Sequence, residues 1–104
     1  MSGQRIFNDT CIACHQENGS GIPGAYPSLS RSPVVLGDPA VLARWVILGQ
    51  RPAAIPAGRY AAQMPQFGWL SAEDAASLLT YVRQSFGNDA PRVDAATVAK
   101  AVGD

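Results

Sequence analysis

Cys11-Ile12-Ala13-Cys14-His15 holds both cysteines and the only histidine of the 104-residue chain. Three chemistries use such a cluster. A redox dithiol would be expected on a strand–helix–strand pattern, which is absent here. A zinc site needs four ligands, and the chain offers only two cysteines and one histidine among the usual soft donors. Covalent haem attachment uses all three residues with none missing: two thioethers to the haem vinyl groups, and the adjacent imidazole to iron. Ile12 and Ala13 are spacers without chemistry. Haem attachment is therefore the reading from which the rest of the chain is interpreted.

Upstream of the motif, Gly3, Phe7 and Cys11 recur every four residues and share one face of a predicted helix, with Ser2 as its N-cap. This helix is expected to carry the cysteines at its C-terminal end. Downstream, residues 18–29 contain Gly19, Gly21, Gly24, Pro23 and Pro27 and cannot form a regular element. Such a loop brings backbone close to a flat ligand and has carbonyls to spare, so one of them is the expected acceptor for the second nitrogen of His15.

Asp38, Pro39 and Gly49 punctuate a second helix as cap, first turn and stop. Val41, Leu42, Trp45, Val46 and Leu48 form its apolar stripe. Residues 50–70, with Pro52, Pro56, Gly58, Pro65 and Gly68, are expected to be mostly irregular. Ser71 opens a third helix with Glu73 and Asp74 in its first turn. Its predicted apolar face is Ala75, Leu78, Leu79, Val82 and Phe86, and Gly87-Asn88 ends the run. A short helix from about residue 94 to 102 closes the chain. No segment alternates with period two, so the fold class is all-α, and residues 1–104 are read as a single domain with 89–104 as a C-terminal extension.

Hydrophobic residues make up 47% of the chain and charged residues 15%, with eight basic residues balancing eight acidic ones. This even balance gives no basic face for nucleic acid. No apolar run approaches the roughly 20 residues of a membrane span. No secretory leader is apparent, yet covalent haem attachment of the bacterial kind takes place outside the cytoplasm. A periplasmic setting is expected, for a processed chain or a domain cut from a larger one.

The face of the iron opposite His15 needs its own donor. Without a second histidine, the thioether of Met64 is the best candidate. Met1 is terminal and Lys100 lies on a late helix, whereas Met64 sits in an irregular segment stiffened by Pro65. His/Met ligation raises the reduction potential and suits electron transfer. A histidine on iron also leaves none for a Ser-His-Asp triad.

Gly3-x-x-x-Phe7-x-x-x-Cys11-x-x-Cys14-His15, Pro27-Ser28-Leu29 and Met64-Pro65 ahead of a helix containing Tyr81 together resemble the class I c-type cytochromes over nearly the whole chain. The resemblance implies the cytochrome c fold, several helices around one haem c attached through Cys11 and Cys14. It further implies that Gly3 and Phe7 meet Tyr81 where the first and last core helices cross. Pro27 would accept from the His15 ring, with Pro23 as a rival, and Leu29 would pack on the haem.

A narrower similarity, carried by Pro23–Leu29, Met64–Phe67 and Asn88–Val93, is to the haem domains of cytochrome c subunits serving bacterial membrane-bound dehydrogenases. Members of that group often carry three such domains and a membrane anchor, whereas this chain has one haem motif and no anchor. The scarcity of lysine departs from the docking face of mitochondrial cytochrome c.

These readings imply periplasmic electron transfer through one haem, by a carrier or by the non-catalytic domain of a dehydrogenase. The implied redox partners are a dehydrogenase as donor and a terminal oxidase or other cytochrome as acceptor. The alternative is a haem-based sensor or ligand-binding domain with a labile sixth ligand; a small peroxidase lacks a distal proton-handling residue. Arg51, Arg59, Trp45, Trp69 and Tyr60 are candidates for the propionates by position only.

Overall fold

Five of the six helices among the described residues begin with a side chain that accepts a hydrogen bond from the helix's own first turn. Such caps satisfy backbone donors that the helix cannot pair, each typically contributing about 1 kcal/mol. The computed structural model describes residues 2–53, 55 and 65–103. Ser2 caps α1 (Gly3–Thr10), Ser32 caps α3 (Pro33–Leu36) and Asp38 caps α4 (Pro39–Leu48). Ser71 caps α5 (Ala72–Arg83) and Asp94 caps α6 (Ala95–Ala101). The exception is the one-turn α2 (Ile12–His15), whose cap position is Cys11. Among the described residues there is no strand, only an isolated bridge between Ile22 and Tyr26.

Helix α1 crosses α5, and the predicted contact of Phe7 with Tyr81 is present, with ring centroids 5.6 Å apart. Phe86 joins them at 5.2 Å from Phe7 and 5.9 Å from Tyr81, making a three-ring cluster at the crossing. Helix α4 is buried along Leu42, Ala43, Val46 and Ile47, while Trp45 and Leu48 are half-buried against the core. The apolar stripe is thus centred one residue beyond the predicted one, and it brings in Ala43 and Ile47. Helix α6 lies against α4 and α5, with Val98 almost fully enclosed and Arg44 Nε donating to the Ala101 carbonyl at 3.0 Å.

Three local expectations change. The first helix does not run through the cysteines: it ends at Thr10, and Cys11 serves as the joint to α2. Helix α5 stops at Arg83 rather than continuing to Phe86. Its terminal carbonyls are taken by other donors, Asn88 Nδ2 to Val82 at 3.0 Å and Ala90 N to Arg83 at 3.0 Å. These bonds satisfy groups that another helical turn would otherwise pair. Phe86 then enters the ring cluster from a left-handed backbone at φ 59°. The short helix α3, with Pro33 in its first turn, had no counterpart in the sequence reading.

Candidate functional site

Cys11, Cys14 and His15 occupy positions i, i+3 and i+4 of one helical turn and so share a face. The turn is closed by Cys14 N and His15 N, which donate to the Cys11 carbonyl at 3.2 and 2.9 Å. Both thiols are unpaired. Burial pushes the Cys11 thiol above its ordinary value, with the Thr10 hydroxyl, 3.4 Å from Sγ, opposing the shift. A redox dithiol depends on a lowered thiol pKa, so this environment runs against that chemistry.

After His15 the chain reverses. Gln16 takes a left-handed φ of 68°, and Gly21 N donates to the His15 carbonyl at 2.9 Å. The loop then folds back so that the Pro27 carbonyl lies 2.9 Å from His15 Nδ1. Gly21 makes room for this return: it has φ +65°, and a Cβ there would stand 2.5 Å from the Pro27 oxygen. Pro27 thus stands at the imidazole, and Pro23 has no hydrogen bond to it. Leu29, two residues on, is half-buried against the core, its amide donating to the Gly19 carbonyl at 2.7 Å.

A carbonyl can only accept, so Nδ1 carries the ring proton and Nε2 keeps its lone pair. Burial disfavours the imidazolium and lowers the His15 pKa, while the Pro27 carbonyl raises it in part. The result is a neutral, oriented imidazole with a free donor atom, the form that binds a metal. Among the described residues no group of three or more His, Cys, Asp or Glu could hold a bare metal ion. An iron held by His15 would need further donors carried by its own group, and two free thiols on the same helical face are suited to fastening such a group. The residues present therefore fit haem c.

Met64, Arg59 and Tyr60 lie outside the described residues. The segment that follows Met64 is fastened to the end of α4: Phe67 N donates to the Val46 carbonyl at 2.9 Å and Gln66 Nε2 to that of Leu48 at 3.0 Å. Arg51 donates to the Ile55 carbonyl. Trp69 is 65% exposed, with its ring edge-on to Phe67. A groove between the starts of α1 and α6 and one side of α5, among Ser2, Ser77, Tyr81 and Asp94, shares no residue with this site.

The sequence reading missed Asn88. Its Nδ2 donates to the Leu29 carbonyl at 2.9 Å, and its Oδ1 accepts from Arg31 N at 2.7 Å. The position after Gly87 marked a helix end, and nothing local signalled that the amide reaches a loop nearly sixty residues away.

A family model described as Cytochrome c matches residues 1–86. The gluconate 2-dehydrogenase cytochrome c subunit of Pantoea cypripedii is 32% identical over 93 residues, covering 86% of this chain and 21% of that protein. The cytochrome c subunit of the quinone alcohol dehydrogenase of Gluconobacter oxydans is 32% identical over 92 residues, 86% of this chain and 19% of that protein. This chain therefore spans about a fifth of the length of those two subunits. Cytochrome c-552 of Thermus thermophilus is 32% identical over 96 residues, 88% of this chain and 72% of that protein. With the motif, the helical fold and these matches in agreement, the chain belongs to the cytochrome c family, whose members carry covalently attached haem c and transfer electrons.

Proposed function

We propose that residues 1–104 act as one monohaem electron-transfer domain in the periplasm, with His15 and Met64 as the axial ligands and no catalysis of its own. The observation that carries this reading is the 2.9 Å contact of His15 Nδ1 with the Pro27 carbonyl, beside two unpaired thiols on the same helical turn. When bound, the haem supplies one-electron ferric–ferrous chemistry. Cys11 and Cys14 hold it in place. His15 donates its Nε2 lone pair, and Pro27 fixes the ring plane and raises its basicity. Leu29 would add an apolar contact, and Met64 would supply a thioether as the second protein donor.

Two of the relatives are cytochrome c subunits of dehydrogenases. They support a dehydrogenase as electron donor; the proposed acceptor is a terminal oxidase or another cytochrome, whether the chain works as a carrier or as part of a larger subunit. No helix among the described residues is long and apolar enough to cross a membrane. The test of the ligand set is optical. The ferric protein is expected to show a sulfur-to-iron charge-transfer band that Met64→Ala abolishes while lowering the midpoint potential. Retention of the band in Met64→Ala, or rapid carbon monoxide binding by the ferrous wild type at neutral pH, would contradict it; the latter marks a ligand-binding domain instead.

A further inference from the structure

The stretch from Asn88 to Val93 resembles dehydrogenase-associated cytochromes, yet none of its residues lies among the proposed ligands. Asn88 is nevertheless one of only three buried polar or charged residues among those described, with His15 and Arg83. Its side-chain amide is fully committed to main chain. Nδ2 donates to the carbonyls of Leu29 and Val82 at 2.9 and 3.0 Å, and Oδ1 accepts from Arg31 N at 2.7 Å. One amide thereby grips both sides of the Leu29–Arg31 segment and ties it to the end of α5. Arg31 is held at φ 57°, a left-handed conformation that strains a non-glycine residue and persists only where the surroundings enforce it. The Ser30 hydroxyl adds a second tie, donating to the Phe86 carbonyl at 2.8 Å.

The gripped segment begins two residues after Pro27. From Pro27 to the grip the chain has little freedom, because Leu29 N is also bonded to the Gly19 carbonyl at 2.7 Å. The position of the Pro27 carbonyl is therefore set from one side by Gly19 and Gly21 and from the other by Asn88.

We propose that Asn88 is a positioning residue for the haem-ligating imidazole, holding the Leu29–Arg31 segment so that the Pro27 carbonyl stays within hydrogen-bond reach of His15 Nδ1. The proposal rests on His15 being the axial ligand. A strong Nδ1–H bond increases donation from Nε2 and favours ferric iron, so loosening the grip weakens that donation and favours the ferrous state. The effect is expected to be modest, because the carbonyl is displaced rather than removed.

The experiment uses the haem-loaded protein and compares wild type with Asn88→Ala, Asn88→Asp and Thr80→Val. Asn88→Asp keeps the acceptor for Arg31 N and loses both donors. Thr80→Val removes the Thr80–Val93 hydrogen bonds, which lie away from the loop, and serves as a purely structural loss. Both Asn88 variants are expected to raise the ferrous-to-ferric ratio at fixed applied potential by about threefold to tenfold, a tenfold change being 59 mV for one electron. They should also speed exchange of the His15 Nδ1 proton at least tenfold by nuclear magnetic resonance. Thr80→Val should lower the melting temperature and change neither quantity.

Asn88 variants that lose stability while keeping the wild-type potential and Nδ1 exchange would overturn the proposal. Should neither Asn88 variant fold, wild-type hydrogen exchange decides. The Arg31 amide and the His15 Nδ1 proton are expected to open with equal protection, and an Arg31 amide exchanging more than tenfold faster would overturn it. Failure of the underlying ligation is separately visible: a His15→Ala protein with an unchanged low-spin spectrum removes the axial ligand itself, whereas failure of the Asn88 proposal leaves the His15 signature in place.

Discussion

Gly3 of α1 meets the main-chain carbonyl of Ser77 in α5 with no room for a side chain between them. A Cβ on Gly3 would lie 2.6 Å from the Ser77 carbonyl carbon and 2.8 Å from Tyr81 Cβ. This contact sets how closely α1 and α5 cross, and hence where the Cys11–His15 turn at the end of α1 is delivered.

Gly3→Ala tests the crossing because two effects oppose each other. Helix propensity favours alanine by about 1 kcal/mol. Overpacking costs about 1–3 kcal/mol, and here the obstacle is backbone, which cannot rotate away. The expected net loss is about 1 kcal/mol, read as a fall in melting temperature of roughly 4–8 °C in the haem-loaded protein. An unchanged or raised melting temperature would show that the helices separate at no cost.

Arg83 is buried at 4% exposure and, among the described residues, donates only to main-chain carbonyls, those of Pro91, Val35 and Gly37 at 2.9, 3.1 and 2.7 Å. It joins the end of α5 to α3 and to the C-terminal stretch. Arg83→Met keeps the bulk and strands three carbonyls, with an expected loss of roughly 3–5 kcal/mol by denaturant unfolding. Arg83→Lys should recover only part of it, since one ammonium cannot span the same acceptors. A loss under about 0.5 kcal/mol, the scatter of surface substitutions, would remove this role.

Asp94 caps α6, and its hydrogen bonds from the Thr97 side chain and amide hold its carboxyl below the usual carboxylate range. A pKa lowered by folding means that the cap stabilises fully above the unfolded value, near pH 3.9, and is lost as the pH falls through the folded value. The melting temperature of Asp94→Ala should therefore lie below wild type at neutral pH and converge on it under acid. Asp94→Asn should retain capping without the acid dependence. A difference that grows on acidification would have the wrong sign.

The elements with punctuation in the sequence were legible in advance. Asp38-Pro39 and Gly49 bounded α4, Ser71 opened α5, and the C-x-x-C-H spacing brought the three candidate haem-binding residues together. The parts that escaped depend on distant partners. Asn88 reads locally as a helix stop, and Arg83 reads as an ordinary basic residue at a helix end. Only the packing of α3 and the 29–31 loop against α5 reveals that one is a clamp and the other a buried tie. Phe86 was assigned to the apolar side of α5, and its ring does enter the core. It gets there through a left-handed turn after the helix ends, because Asn88 and Ala90 take the last carbonyls.

The central claim is that Cys11 and Cys14 carry one covalently bound haem beside His15. The most direct measurement is the mass of the purified protein under denaturing conditions, followed by the mass of the proteolytic peptide spanning residues 11–15. The predicted result is a chain heavier than its 10.9 kDa sequence by one haem, with the whole increment on that peptide. The increment should persist through a single thioether in Cys11→Ala or Cys14→Ala and vanish when both are replaced. A denatured chain at its bare sequence mass, with haem recovered free in solution, would contradict the account.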